Sequence, residues 1–246
     1  MAVNMDEDQV TKSFGTNTMQ KFINSKDHMT NEEVVTDLNM IADMHRKTKS
    51  TSTRTCFVTV GASASFKPLL RYVLSEPFFR QLVLSDFTHL IVQYGHDGES
   101  LWEQFLNDNP TDSETLHGLA LGGFDFKPSL APYMELVTAD DEQHRKLGIV
   151  ISHAGTGTIL DALHFGLNMI IVPNNNLADN HQEELAMMLY RIGYACPVNI
   201  DDIHNLMYHW DKFCDQDPTD FEDAEGYYQP SAEADALMRE RFLVVD

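Results

Sequence analysis

Residues 149–158 have the composition of an anion-binding turn between a strand and a helix. Three branched apolar residues, Ile-Val-Ile, are followed by Ser and His and then by small residues. This order predicts a buried strand, a glycine-containing turn and a helix. A helix that begins at such a turn offers free backbone N–H groups and the positive end of its dipole to a phosphate. The predicted diphosphate-binding residues are Ala154, Gly155, Thr156, Gly157 and Thr158.

The same segment is open to other interpretations. Leu160 stands where G-x-G-x-x-G has its third glycine, and no G-x-x-x-x-G-K-[ST] occurs in the chain. Two glycines also suit an ordinary tight connection. Thr158 and Asp161 have the spacing of a capping box, so capping and ligand contact compete for Asp161. For His153, ligand contact or proton transfer competes with a simple hydrogen-bonded role at a strand end.

Two further loops carry residues that suit a ligand. The loop from Gly61 to Ser65 contains only small residues and would let a ligand approach its backbone closely. Residues 173–182 combine amides and carboxylates ahead of a predicted helix, where Asp179 alone would be an N-cap. Asn180 and Gln182 add donors and acceptors that suit sugar hydroxyls.

Hydrolase and metal chemistry are not favoured. Ser152, His153 and Asp161 lie close in sequence, but no G-x-S-x-G is present, and Ser152 and His153 would point to opposite faces of a strand. The remaining histidines show no metal-ligand spacing such as H-E-x-x-H. Three cysteines without a C-x-x-C pair suit a reducing compartment.

Composition limits the class of protein. With 246 residues, 43% of them hydrophobic, the chain can bury one good-sized core. A formal net charge of -21 argues against nucleic acid or an anionic membrane surface as a partner, so any phosphate contact must be local. The acidic first ten residues have no apolar core, and no long uncharged apolar run follows. We therefore expect a cytoplasmic protein without direct membrane insertion.

Strand-like and helix-like segments alternate from residue 55 onward. Strands are predicted at 55–61, 90–95, 119–126, 149–152 and 169–172, and helices at 66–74, 133–137 and 179–191. This alternation favours an α/β fold with a Rossmann-like parallel sheet and helices on both faces. Ligands of such sheets bind at the carboxyl ends of the strands, where Gly61, Gly95, His153 and Asn174 fall.

The chain divides into three predicted regions. Residues 1–53 form a polar extension, partly disordered, in which apolar residues between 34 and 44 have the spacing of a short helix. Residues 54–200 form the sheet domain. Residues 201–246 form an acidic segment with a predicted loop at 211–223 and a closing helix at 232–242.

The order of these motifs resembles a known enzyme family. Residues 150–161 are followed by Ile-Ile-Val-Pro at 170–173, Asp-Asn-His-Gln at 179–182 and Ile-Gly-Tyr at 192–194. Phe-Val-Thr-Val-Gly at 57–61 and Gly-Phe-Asp-Phe at 123–126 belong to the same pattern. Together they resemble the C-terminal half of GT-B glycosyltransferases of family 28. Within that group the chain is most similar to the soluble catalytic subunits of eukaryotic UDP-N-acetylglucosamine transferases.

The resemblance implies a UDP-GlcNAc site at the carboxyl edge of the sheet. The diphosphate would lie at residues 154–158, with Gly61 and Ser63 facing it from the other side. Asp161 would hold the ribose hydroxyls, and Asn180 and Gln182 would contact the donor sugar. His153 is the candidate catalytic residue, and neither a cofactor nor a metal is expected.

The resemblance also implies a reaction and a partner. GlcNAc would pass from UDP-GlcNAc to GlcNAc-diphospho-dolichol in an inverting β1,4 transfer, the second step of lipid-linked oligosaccharide assembly for N-glycosylation. A membrane-anchored, acceptor-binding subunit would recruit this chain to the cytosolic face of the endoplasmic reticulum, and the chain alone should be inactive. The helix at 232–242 is the candidate docking element. The general base is not identified by the sequence.

One departure and one alternative accompany the resemblance. The chain has Leu147-Gly148 where family members often carry an Asp before the strand, so the entry to this strand is expected to differ. The alternative function is a non-catalytic nucleotide-sugar-binding or scaffolding module. An epimerase-like enzyme would need both halves of a GT-B fold, and a dehydrogenase would need the missing glycine.

Overall fold

Six apolar segments pair into one parallel sheet. In the computed structural model, the described residues are 31–47, 50–61, 66–110, 114–174 and 181–216. The strands are β1 (Thr53–Thr59), β2 (His89–Gln93), β3 (Ala120–Phe124), β4 (Arg145–Ser152), β5 (Met169–Ile171) and β6 (Ala195–Pro197). Their order in the sheet is β3-β2-β1-β4-β5-β6, and every pairing is parallel. The predicted fold class is confirmed.

Helices connect the strands and cover the sheet. The helices are α1 (Asn31–Lys47), α2 (Lys67–Val73), α3 (Glu76–Leu84), α4 (Glu99–Asp108), α5 (Ala131–Glu135), α6 (Thr156–His164), α7 (His181–Arg191) and α8 (Leu206–Cys214). Two clusters of buried apolar side chains pack on opposite faces of the strands, one including Val58 and Ile151 and the other Phe57 and Val150. The alternation of these neighbours along β1 and β4 shows that both faces of the sheet are buried, as a parallel sheet requires.

The predicted loop at 211–223 is wrong over its first four residues. Helix α8 continues to Cys214, and Trp210 and Phe213 on it are buried in the same cluster as the central strands. Acidic residues at 201, 202, 211 and 215 lie on the outer side of this segment. They made the segment resemble a loop in the sequence, although its apolar residues have helical spacing. The described residues beyond 200 therefore belong to the packed fold. The predicted closing helix at 232–242 lies outside the described residues.

The sequence favoured a short helix in the N-terminal extension, and the structure contains it as α1. Its buried residues Ile41, Ala42 and Met44 pack in the cluster that includes Phe124 of β3. Gly122 of β3 makes the close approach possible, because a Cβ atom there would lie 2.5 Å from the sulfur of Met44. Helix α1 thus completes one face of the sheet at its β3 side.

A half-buried histidine, His45, and a buried histidine, His89, meet where α1 reaches the first residue of β2. The rings of His45 and His89 lie 4.7 Å apart. Burial and the charge of Arg145 lower the pKa of His45 from 6.5 to about 4. Burial and the neighbouring His45 lower the pKa of His89 to about 3. Both rings are therefore neutral in the folded protein near pH 7.

We predict that this pair makes the protein acid-labile. Both histidines have a folded-state pKa below 6.5, so the unfolded chain binds more protons between about pH 4 and pH 6.5, and the free energy of unfolding falls as pH decreases through that window. His89→Phe removes one of these groups, and with it a buried Nε2 that has no hydrogen-bond partner in the part of the chain that the structure describes. Urea unfolding at several pH values should show a shallower fall for His89→Phe than for the natural chain. An equal fall in both proteins would contradict the prediction, and His96→Gln, at an exposed histidine, is the control.

Candidate functional site

The two central strands bring the main site residues together. In the register of β1 and β4, Thr59 pairs with Ser152, so Gly61 and His153 emerge side by side at the carboxyl edge. Strand β1 has β2 on its other side, and the chain reaches β4 only after building β2 and β3. The strand order therefore reverses between β1 and β4. Parallel sheets bind ligands in the crevice at this point.

The His153 ring lies between two glycines. A Cβ atom built on Gly61 would lie 2.2 Å from Cε1 of His153, and one built on Gly155 would lie 2.6 Å from the same carbon. No residue other than glycine fits at either position without displacing the ring. Gly61 also has φ +76°, in the left-handed region that favours glycine. The structure places Gly61 against His153, and its predicted diphosphate contact stays a prediction.

The environment of His153 keeps its ring neutral. The residue is only 8% exposed. Burial lowers its pKa below the ordinary value of 6.5, while a hydrogen bond with the Thr59 backbone acts in the opposite direction. Its Nδ1 atom and the Oγ atom of Ser152 are buried and have no hydrogen-bond partner among the described residues. Unpaired buried polar atoms are costly, and at a site edge they suggest contacts that a ligand completes.

The turn after His153 leads into helix α6, and no described side chain caps the N-terminus of this helix. Ala154 has φ +70°, which is strained for a residue with a side chain, and Gly155 is the N-cap of α6. The first turn of the helix contains no acidic residue. Thr156 and Gly157 are exposed, and a Cβ atom on Gly157 would meet no described atom within 4 Å. No described side chain therefore satisfies the free N–H groups at this helix end.

The capping-box interpretation is wrong. Thr158 lies inside α6 rather than at its start, and it is buried. With Gly155 as its N-cap, the helix starts three residues earlier than a Thr158 cap would start it. Asp161 lies near the middle of α6, half-buried, where burial raises its pKa and His164 opposes the rise. Asp161 is thus available for a ligand contact, and its ribose role stays a prediction.

A side-chain hydrogen bond pins the end of the β5 segment to α7. The backbone N–H of the buried Asn174 donates to Oε1 of Gln182 at 3.0 Å. The amide oxygen of Gln182 is therefore engaged within the protein, and a sugar contact would fall to its amide nitrogen. Asn180 and Ser63 lie outside the described residues. The sugar-binding roles of Asn180 and Gln182, and the diphosphate role of Ser63, stay predictions.

Sequence reasoning missed a buried polar connection beneath Gly61. The hydroxyl of Thr59 donates to the side-chain oxygen of Gln93, and it accepts the N–H of Gly61 at 3.3 Å. Thr59 and Gln93 are both fully enclosed. The sequence did contain a sign of this polar contact, because Thr59, Gln93 and Ser152 are polar residues at the ends of apolar strands. Together they fix where the chain turns at the sheet edge.

A second missed feature is the rim of the site beside Gly61, which is formed by residues 95–96 and 125–127. The N–H of Gly95 donates to the carbonyl of Asp125 at 3.1 Å, and a Cβ on Gly95 would lie 3.3 Å from the carbonyl oxygen of Gly61. The ring of Phe126 is 44% exposed and stacks on His96 with centroids 6.4 Å apart. Phe126 entered the sequence analysis only as part of a motif. The signal in the sequence was an aromatic residue two positions after the end of a strand.

The described ranges contain neither a metal-binding cluster nor a membrane-spanning helix. No group of three or more His, Cys, Asp or Glu side chains in them is placed to hold a metal ion. None of the helices in these ranges has the length and apolar character to cross a membrane.

The family model for the glycosyltransferase family 28 C-terminal domain matches residues 55–227. The chain belongs to this family. The matched range contains the glycine turn, the His153 pocket and the rim, whereas α1 precedes it. The predicted resemblance is confirmed.

Relatives from two yeasts have the same name. The UDP-N-acetylglucosamine transferase subunit ALG13 of Candida albicans is 27% identical over 183 residues, which cover 63% of this chain and 59% of that protein. The subunit of the same name from Saccharomyces cerevisiae is 31% identical over 159 residues, which cover 56% of this chain and 74% of that protein. The chain thus spans less than two thirds of the Candida relative. A solution NMR structure of ALG13 is 25% identical, covers 78% of this chain and 96% of its own, and has a TM-score of 0.46.

We predict that Gly157→Ala separates folding from ligand binding. The added methyl group meets no protein atom, and alanine favours a helix over glycine by up to about 1 kcal/mol, so the melting temperature should stay or rise. The same methyl group would occupy the space through which a phosphate approaches the helix end. Calorimetry should therefore show at least a tenfold loss of UDP affinity. Unchanged affinity would exclude this helix end as the diphosphate site, and Leu160→Ala, at an exposed residue of α6, is the control.

Proposed function

We propose that this chain is the donor-binding subunit of a two-subunit transferase that uses UDP-GlcNAc. The observation that carries the proposal is the uncapped N-terminus of α6, held in place by the turn at Ala154 and the His153 pocket. Membership of family 28 supports glycosyl transfer, and the relatives named as subunits of a UDP-N-acetylglucosamine transferase support the donor.

The diphosphate would bind at the start of α6. The N–H groups of Thr156, Gly157 and Thr158 lack a side-chain cap, and the helix dipole adds partial positive charge at the same place. The whole chain is strongly acidic, so its long-range field repels an anion. Short-range, directed N–H groups are what can overcome that repulsion. Gly157 allows the closest approach because it has open space above it.

The rest of the nucleotide would extend from this point in two directions. Asp161 is half-buried near the middle of α6 and supplies a carboxylate for the ribose hydroxyls. The exposed ring of Phe126 offers an apolar face to the base at the rim. The donor sugar would lie towards the β5–α7 connection, where the amide nitrogen of Gln182 and the predicted contact Asn180 would meet its hydroxyls.

The proposed reaction is an inverting displacement. The C4 hydroxyl of the acceptor GlcNAc attacks the anomeric carbon of the α-linked donor, a β1,4 bond forms, and the bond from that carbon to the diphosphate oxygen breaks. The hydroxyl proton passes to a base, and UDP leaves with its charge facing the N–H groups of α6. These groups stabilise the transition state because the negative charge on the diphosphate grows as the bond breaks.

His153 is better placed to support the site than to act as the base. With so little of its surface exposed, its ring has poor access to an acceptor hydroxyl. We propose that it contributes to transfer by holding Gly61 and Gly155 at a fixed separation. The base would then come from the acceptor-binding partner.

The proposal includes the partner and the location. A membrane-anchored subunit would bind GlcNAc-diphospho-dolichol and recruit this chain to the cytosolic face of the endoplasmic reticulum. Residues 232–242, outside the described ranges, are the proposed docking helix. The word "subunit" in the names of the relatives is what supports a partner.

The direct test is reconstitution. Membranes that contain a candidate acceptor-binding subunit, mixed with this chain, UDP-GlcNAc and GlcNAc-diphospho-dolichol, should release UDP and form a β1,4-linked disaccharide, and neither component alone should do so. Donor binding without transfer, with a partner that is shown to associate, would favour the non-catalytic nucleotide-sugar-binding or scaffolding module. Absence of both binding and transfer would overturn the proposal.

We predict that Asp161→Asn weakens donor binding without loss of fold. Replacing a carboxylate acceptor by an amide removes a charge-assisted hydrogen bond, which is worth about 1.5–3 kcal/mol, so UDP-GlcNAc affinity should fall about 10- to 100-fold. The free energy of unfolding should stay the same or rise slightly, since burial already disfavours the charged carboxylate. Calorimetry and urea unfolding measure the two effects. Asp108→Asn, at an exposed residue of α4, is the control, and equal affinity of the two variants would contradict the assignment.

A further inference from the structure

Helix α1 lies before the family-matched range, yet a buried ion pair ties it to the site edge. Nζ of Lys127 lies 2.8 Å from Oδ1 of Asp37, and the two side chains are 9% and 3% exposed. Asp37 belongs to α1, and Lys127 directly follows Phe126 on the rim. A buried charge needs its partner, because removal of one member leaves the other desolvated and unpaired.

A buried tyrosine lies beside this pair on the sheet side. Tyr133 of α5 is completely buried, and its ring stacks on Phe57 of β1 and Phe124 of β3. Burial and the charge of Asp37 raise the pKa of the Tyr133 hydroxyl. The Asp37 carboxylate thus pairs with a lysine of the rim and lies near a hydroxyl of the core.

A continuous set of contacts leads from Lys127 to the glycine turn. Two residues before it, the carbonyl of Asp125 accepts the N–H of Gly95 at 3.1 Å. Gly95 has φ +66° and lies against the carbonyl oxygen of Gly61. Gly61 in turn lies against the ring of His153. The connection consists of one backbone hydrogen bond, one approach of two glycine backbones and one approach of a glycine to the His153 ring, so a shift of the rim loop would pass to the His153 pocket.

We propose that Asp37 is a positioning residue of the donor site: through Lys127 it holds the rim loop at 125–127, and through Gly95 and Gly61 it holds the His153 pocket. Helix α1 is then part of the functional site although it contacts no substrate. The inference rests on the proposed function in one respect, namely that the ligand at this edge is a nucleotide sugar.

The experiment uses two variants of the full chain. Asp37→Asn keeps the size of the side chain and removes its charge. The double variant Asp37→Asn/Lys127→Met also removes the charge that would otherwise be stranded. Hydrogen exchange of the Gly95 and 125–127 amides reports loop order without any ligand, and calorimetry reports UDP-GlcNAc affinity.

Asp37→Asn should weaken donor affinity by about tenfold, as expected for coupling between distant sites, and should raise exchange at Gly95 and 125–127 but not in β6. The double variant should regain the melting temperature of the natural chain and keep the weakened affinity, because the tie to the loop is still missing. Asp43→Asn is the matched control, since Asp43 lies on the same helix in an exposed pair with Arg46.

Different results overturn the two proposals separately. Unchanged exchange at Gly95 in Asp37→Asn would overturn the positioning role, whatever the ligand. A double variant that recovers both stability and affinity would reduce Asp37 to a structural residue and overturn it as well. Failure of the natural chain to bind UDP-GlcNAc, alone or with a partner subunit, would instead overturn the proposed function.

Discussion

The packing of the His153 ring between Gly61 and Gly155 is the constraint on which the rest of the site depends. It exists because β1 and β4 are neighbours at the centre of the sheet, so their ends leave the sheet side by side. The ring requires two glycines, and Ala154, between His153 and Gly155, adopts a strained left-handed conformation. That turn leads into α6, which has no side-chain cap among the described residues, so its N–H groups stay available for an anion. Backbone strain at Ala154 and unsatisfied polar atoms on Ser152 and His153 thus occur together at this strand end, as is common at functional sites.

Much of this arrangement follows from the sequence. Runs of branched apolar residues that end in glycine or polar residues predicted the five strands before β6, and their alternation with helices predicted the parallel sheet. The glycine turn at 155–157 was predicted because glycine and small residues follow a run of branched apolar residues. The start of α6 was missed by three residues, since Ala154 gives no sign in the sequence that it adopts a left-handed conformation. Helix α8 was not predicted, because acidic residues before, within and after it favoured a loop.

The other features that the sequence did not predict depend on contacts between residues that are far apart in the chain. Asp37 and Lys127 are 90 residues apart, and nothing in either neighbourhood of the sequence indicates that they meet. The same holds for Thr59 and Gln93, whose contact depends on the register of β1 and β2.

The net charge of the chain explains why these local contacts matter for ligand binding. A chain with a net charge of -21 cannot attract an anionic donor through its overall field, so binding depends on the geometry of a few N–H groups and on the residues that keep them in place. Helix α1, although it precedes the family-matched range, belongs to that supporting structure.

The most direct test of the account is an NMR titration that follows the backbone amides of Thr156, Gly157 and Thr158. It would compare UDP-GlcNAc, UDP and uridine, with the chain alone and with a candidate membrane subunit. The account predicts that UDP-GlcNAc and UDP shift these three amides strongly while uridine does not, because the diphosphate is the group that meets the end of α6. If UDP-GlcNAc binds and leaves these amides unchanged, the diphosphate lies elsewhere and the central claim is wrong.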